Sequence, residues 1–277
     1  MKPGTIRGAV AYRLVVADLD GTARSRRLGI TPGVRAAVAA ARARGVGVRV
    51  ATGRMWASAA PWVEALGADS PVILYNGGQV FDFQAGRVLH DRRLGAESTR
   101  QALALIRRDP DLQPHLFLDD QAYVERCHPL TDLYAQDDGI TCKVVTAFES
   151  LLTGDPHKIL VVGPPPRVTA LGAAVREARL PVHAVQSEPT YLEFLPPGIS
   201  KGSALRAMLE GLGIDAGDVI AVGDNWNDLE MIEAAGLGVA MADAPEGVRA
   251  RADHVCASAD DDGLREVIER FVLDGRS

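Results

Sequence analysis

Four acidic residues stand in two tight groups, Asp18-Leu19-Asp20 and Asp224-x-x-Asn227-Asp228, and each group follows an apolar run. Between them come Thr52-Gly53-Arg54 and, where a helical pattern starts, Ser200-Lys201-Gly202. Taken singly, Asp-Gly and Thr-Gly are ordinary turn chemistry, and a lone lysine is ordinarily a solvated one. Together they carry more. If Asp18, Asp20, Asp224 and Asp228 converge, each pair of charges about 4 Å apart repels by roughly 4 kcal/mol at an effective dielectric near 20, so a cation is expected among them. Its ligands would be oxygens alone, which suits a hard ion, and Mg2+ is the usual one beside a phosphate. Lys201 stands at a helix start, where the macrodipole disfavours a cation. The chain otherwise has lysine only at Lys2, Lys143 and Lys158, and an anion held near Lys201 would resolve the conflict.

Such residues act together only if strands deliver them to one place. Leu14-Val15-Val16-Ala17 reads as a strand buried on both faces, with Asp18 at its carboxyl end. Thr31-Pro32 caps a helix that Gly45 can stop. A strand from Gly47 to Ala51 ends at Thr52, a helix reaches Leu66, and a strand from Pro71 to Tyr75 ends at Asn76-Gly77-Gly78. Residues 85–189 change character: helices at Ser98 to Arg108 and Val168 to Arg179 alternate with short strands such as His157 to Val162. The first pattern then returns with a helix from Lys201, a strand from Val219 to Val222 ending at Gly223-Asp224, a helix to Ala235, a strand from Gly238 to Met241 and a final helix from Gly263 to Leu273. The expectation is an α/β protein: a doubly wound parallel sheet, Rossmann-like, from residues 1–84 and 190–277, interrupted by an inserted α+β cap at 85–189. Right-handed crossovers would bring the strand ends to one edge, where ligands bind.

At 277 residues the chain can bury a substantial core. A net charge of −6, with arginines scattered rather than clustered, argues against a nucleic-acid surface. Cys127, Cys142 and Cys256 lie far apart and suggest neither a disulfide framework nor a zinc site. Met1 to Tyr12 lacks the apolar run of a signal peptide or membrane span, so a cytoplasmic protein without membrane partners is expected. Composition favours neither a monomer nor a dimer. Gly236-Leu237-Gly238 is no dinucleotide fingerprint. Trp226 reads as an anchor of its own loop, and Asp119, Asp120, Tyr123, Glu125 and His128 as a solvated hairpin that could instead line a pocket.

The four ordered motifs, Asp18-Leu19-Asp20-Gly21-Thr22, Thr52-Gly53-Arg54, Lys201-Gly202 and Gly223-Asp224-Asn225-x-Asn227-Asp228, resemble those of haloacid dehalogenase-like phosphatases. Asn76-Gly77-Gly78, Glu193-Phe194-x-Pro196-x-Gly198-x-Ser200-Lys201-Gly202 and Gly238-Val239-Ala240-Met241-x-x-Ala244-Pro245 are similar to the Cof-type, subclass IIB branch, whose cap is inserted between the second and third motifs. The resemblance implies a Mg2+-dependent phosphatase acting on a small phosphorylated metabolite, a sugar phosphate first. It implies Asp18 as the nucleophile that forms an aspartyl phosphate and Asp20 as the acid and base. Asp18, the Asp20 carbonyl and Asp224 would hold the metal, with Asp228 supporting them. Thr52, Gly53 and Lys201 would bind phosphate, and Arg54, Asn76 and Asn227 would face substrate. A mutase or other phosphotransferase, or a regulatory protein that binds the metabolite without turnover, are the alternatives. Ala23 stands where the family usually carries a larger apolar residue, with Arg24, Arg26 and Arg27 following, which bears on how that loop packs and how tightly the cap closes.

Overall fold

Two sheets divide the chain. In the computed structural model, which describes residues 12–274, the strands in chain order are β1 (Leu14–Asp18), β2 (Gly47–Ala51), β3 (Val72–Leu74), β4 (Gln79–Asp82), β5 (Arg87–Asp91), β6 (Gln113–Leu118), β7 (Gln121–Val124), β8 (Cys142–Val144), β9 (Lys158–Val162), β10 (His183–Glu188), β11 (Tyr191–Leu195), β12 (Val219–Gly223), β13 (Leu237–Ala240) and β14 (His254–Val255). The larger sheet runs β14-β13-β12-β1-β2-β3-β4-β5, and the smaller one β10-β11-β9-β6-β7-β8. The expectation about Met1 to Tyr12 falls, Tyr12 apart, outside the described residues. Among those residues, no helix is long and apolar enough to cross a membrane.

The larger sheet is doubly wound. β1 pairs in parallel with both β12 and β2, all five of its residues are buried, and its apolar run is the signature of a central parallel strand. Helices flank the two sheets: α1 (Pro32–Ala43) and α2 (Trp56–Leu66) come before the insert, and α3 (Ala96–Ile106), α4 (Pro129–Asp138) and α5 (Pro165–Ala178) lie within the insert. α6 (Lys201–Leu212), α7 (Leu229–Ala234), α8 (Glu246–Arg249) and α9 (Gly263–Ile268) follow, with the last turn, Glu269–Leu273, widened to a π-helix. α1 starts as its sequence predicts: Thr31 Oγ1 accepts from Val34 N–H and Pro32 occupies the first turn. Its buried face is Val34, Ala37, Val38 and Ala41, and each valine contributes about 1.5–3 kcal/mol by leaving water.

Both expected boundaries of the insert lie too early. The hairpin β4–β5 pairs antiparallel onto β3 and extends the larger sheet to Asp91, past the expected start at 85. β11 pairs with β9 and β10 in the smaller sheet, so the larger one resumes after Leu195 rather than at 190. Periodicity misses both because a short strand reads alike in either sheet; only its partner assigns it. One face of the smaller sheet packs Ile159, Val161 and Leu116 against α3 and α5, which supply Leu103 and Val168. The opposite face, with Phe117 and Leu160 beside Tyr134 of α4, is continuous with the apolar cluster of the larger sheet, so the insert lies over the strand ends.

Candidate active site

Four chain segments meet at the carboxyl edge of β1, β2 and β12. β1 ends on Asp18, buried to 5% exposure. The chain then turns tightly, Ala23 N–H donating to Asp18 O at 3.1 Å and Arg24 N–H to Leu19 O at 2.7 Å. Gly21 is needed there: its φ is +92°, and a Cβ would lie 2.5 Å from Asp224 Oδ2. β2 leads to Thr52, whose N–H donates to Ile73 O at 2.9 Å and whose Oγ1 accepts from Arg54 N–H at 3.1 Å, leaving the hydroxyl proton free. β12 leads to Asp224, and in the 3-10 turn that follows, Asp228 Oδ2 accepts from the N–H groups of Asp224 and Asn225, both at 3.0 Å. Ser200 and Ser203 form a capping box that fixes the first turn of α6 and places Lys201 inside it.

The Lys201 side chain is fully buried. Its Nζ donates to Asp18 Oδ1 and, at 2.6 Å, to Asp228 Oδ1. The conflict with the helix dipole is thus resolved by two carboxylates of the protein. Burial works against the ammonium, but Asp18 and Asp228 outweigh it and hold the lysine well above its usual range. Asp18, Asp224 and Asp228 each offer an oxygen within 4.8 Å of the others. Burial pushes Asp18 and Asp224 upward, Lys201 pulls both back, and the neighbouring carboxylates push them further up. Asp228 spends both oxygens on Lys201 and on backbone N–H groups, whereas Asp18 Oδ2 and Asp224 Oδ2 accept no hydrogen bond among the described residues. Two like charges, shielded from water and each with a free hard oxygen, fit a divalent cation such as Mg2+.

The Asp20 side chain does not join this cluster, contrary to the convergence drawn from its spacing. Its oxygens accept from Arg54 Nε at 2.5 Å, Arg54 Nη2 at 3.0 Å and Arg24 Nη1 at 2.5 Å. Burial favours its neutral form, but the two arginines outweigh that and hold the carboxyl below its usual range. Arg54, expected to face substrate, borders the cavity with its guanidinium already shared among Asp20, Ser58 Oγ at 2.5 Å and Asp138 Oδ1 at 3.0 Å. Asn76, also expected to face substrate, is 2% exposed and is spent on two partners. Its Nδ2 donates to Glu193 Oε1 at 3.1 Å, and its Oδ1 accepts from Asn227 Nδ2 at 3.0 Å. Gly53, expected at a phosphate, borders the cavity; its carbonyl accepts from Lys158 Nζ at 2.8 Å, and a Cβ there would lie 2.9 Å from Asn76 Nδ2. Asn227 borders the cavity, and its Oδ1 is buried without a partner among the described residues.

The loop around Ala23 is well packed: Ala23 is 2% exposed, Arg24 lies 4.2 Å over the Trp62 ring, and Arg26 pairs with Glu188 of the insert. Between loop and insert lies a cavity of 240 Å3, with Asp18, Thr52 and Asp224 on one side and Tyr134, Lys158 and Tyr191 on the other. Sequence reasoning missed the insert's contribution. The scarcity of lysine was a signal for Lys158; nothing local marked Asp138 or Tyr134. The hairpin residues Asp119, Asp120, Tyr123, Glu125 and His128 do not border the cavity. Asp120 instead accepts from Ala57 N–H at 3.0 Å, in the first turn of α2, which has no side-chain cap of its own. Trp226 is 52% exposed, and its ring lies against Gly247, where a Cβ would come within 2.3 Å of it.

A family model described as haloacid dehalogenase-like hydrolase matches residues 15–268. The pyridoxal phosphate phosphatase YbhA of Escherichia coli is 28% identical over 273 residues, 94% of this chain and 99% of that protein. The phosphoglycolate phosphatase of Methanothermobacter thermautotrophicus is 28% identical over 262 residues, again 94% of this chain and 99% of the relative. Among solved structures, a haloacid dehalogenase-like hydrolase from Bacteroides thetaiotaomicron superposes with a TM-score of 0.84 at 28% identity, covering 94% of this chain and 99% of that one.

Proposed function

This chain belongs to the haloacid dehalogenase-like hydrolase family, in its Cof-type branch, and is a phosphatase; on that premise we propose that it hydrolyses a small phosphorylated metabolite, a sugar phosphate first, through Asp18 and with Mg2+, in the cytoplasm. The observation that carries the reading is the Lys201 ammonium clasped between Asp18 Oδ1 and Asp228 Oδ1, with Asp18 Oδ2 free at the cavity. Lys201 fixes the rotation of that carboxylate and turns Oδ2 to the cavity.

One oxygen of the Asp18 carboxylate bonds to phosphorus while the bond to the ester oxygen breaks, and its other oxygen would remain for the cation. Asp20 gives the leaving oxygen a proton and then takes one from the water that cleaves the aspartyl phosphate. Arg24 and Arg54 hold Asp20 at the cavity wall, so their grip must loosen before it can carry that proton. The Thr52 hydroxyl proton and the third hydrogen of Lys201 are available to the phosphoryl oxygens. The Asp18 and Asp224 carboxylates, with the Asp20 carbonyl, would hold Mg2+, which when bound offsets the charge between nucleophile and phosphate. The insert, as a cap, closes a 240 Å3 space that suits a metabolite better than a phosphorylated protein.

The test is release of inorganic phosphate from a panel of phosphorylated metabolites with Mg2+. Multiple turnovers that cease with EDTA, and nearly vanish in Asp18→Asn and Asp20→Asn, are the expected result. Full activity in Asp18→Asn would overturn the mechanism, and transfer of phosphate to a second metabolite without net release would make the protein a phosphotransferase.

A further inference from the structure

A buried line of polar groups runs from the insert into the strand-end loops, outside the residues given a chemical step above. Lys158, on β9, is 4% exposed, and Glu193, on β11, is likewise 4% exposed. Lys158 Nζ donates to Glu193 Oε2 at 2.6 Å and to Gly53 O at 2.8 Å, and it lies 4.8 Å from the centre of the Phe117 ring. Glu193 Oε1 accepts from Asn76 Nδ2 at 3.1 Å, and Asn76 Oδ1 accepts from Asn227 Nδ2 at 3.0 Å. One link joins two strands of the insert, and the other three join segments far apart in sequence: the insert to the Thr52-Gly53-Arg54 turn, the insert to the loop after β3, and that loop to the turn after Asp224.

Stability alone does not account for the Lys158–Glu193 pair, because an apolar pair of similar volume holds a core as well as a buried ion pair does, or better. Its position accounts for it. The ammonium fixes the backbone one residue after Thr52, and the carboxylate orients Asn76, which in turn orients Asn227, whose other amide atom is the unpartnered one at the cavity. Building on the phosphatase reading, we infer that Lys158 and Glu193 are positioning residues: closure of the insert, through this pair, sets the Thr52 turn and the Asn227 side chain in the geometry that the phosphoryl group meets. When the insert lifts, Gly53 O and Asn76 lose their fixed partners together, so the site is complete only when covered. Both residues border the cavity, yet neither bonds to Asp18, Asp20, Thr52 or Asp224 among the described residues, so the pair's effect belongs in kcat.

The single change Lys158→Met leaves the Glu193 carboxylate buried without its cation, so the informative variant is Lys158→Met/Glu193→Leu, which fills the space with apolar groups. Thermal unfolding and steady-state phosphate release are measured together on the full chain. The expected result is a melting temperature near that of the unmodified protein, with kcat lower on the order of 100-fold, the loss that about 1 Å of misplacement produces, and KM changed far less. Asn76→Gly is the second variant: it permits the left-handed backbone at φ 54° and removes the side chain that joins Glu193 to Asn227. It should show the same split whether or not the double variant folds. Undiminished kcat in either variant overturns the inference. If the unmodified chain releases no phosphate from any ester, the phosphatase reading itself fails; if it turns over and the variants match it, only the positioning role does.

Discussion

Replacing Lys201 by methionine keeps an unbranched side chain one atom shorter and removes its charge, and the structure sets the size of the effect. Asp18, Asp224 and Asp228 bring oxygens within 4.8 Å of one another, so at an effective dielectric near 20 each pair repels by at least about 3 kcal/mol, and the three pairs together by about 10 kcal/mol. The ammonium answers this at short range: at 2.6 Å from Asp228 it contributes about 6 kcal/mol of attraction on the same scale, with a similar contribution from Asp18. Lys201→Met does not lose all of this, since the carboxylates can take up protons; breaking one side of a buried ion pair costs about 3–5 kcal/mol. Urea unfolding followed by circular dichroism, without divalent ions, should show a loss of that size. Millimolar Mg2+ should then stabilise Lys201→Met more than it stabilises the unmodified protein, because the cation replaces the missing positive charge, while phosphate release stays near zero. An unchanged urea midpoint in Lys201→Met would refute the reasoning, because three clustered carboxylates would then need no internal cation.

Gly21→Ala tests the metal site from the backbone side: its Cβ would stand 2.5 Å from Asp224 Oδ2 at φ +92°, so titration calorimetry should show Mg2+ binding about 10-fold weaker or worse, and unchanged affinity would mean that Asp224 is not a ligand. Acid sensitivity follows from two buried histidines. Burial holds His115 and His157 down at about 4, against 6.5 when exposed, so both fold as neutral rings while the unfolded chain binds protons at higher pH. The stability they permit is intact above pH 6.5 and falls as pH drops towards 4, costing about 2 kcal/mol per histidine at pH 5. Urea midpoints measured at pH 7 and pH 5 should draw closer together in His115→Leu than in the unmodified protein.

The candidate site was largely legible in the sequence because strand ends carry it. An apolar run followed by Asp18, and another followed by Gly223-Asp224, state locally both that a buried strand is present and where its carboxyl end falls, and parallel winding then brings those ends to one edge. What each end touches was not legible. Arg54 meets Asp20 across 34 residues, Asn76 meets Glu193 across 117 and Asn227 meets Asn76 across 151. Propensity and periodicity describe neighbours within one helix turn or strand pleat, and carry no term for such pairs.

By itself, then, the sequence determined the alternation of strands and helices, the edge at which polar residues gather, and the acids and lysine that meet there. Only the tertiary structure decided which carboxylates share the buried Lys201 and which answer to arginines, that Asn76 turns inward and that β5 and β11 change sheets. The physical reason is that burial and charge partnership depend on distance in space. Desolvation compels each buried ion to find a counter-charge, and which one is within reach is set by how the insert packs over the sheet.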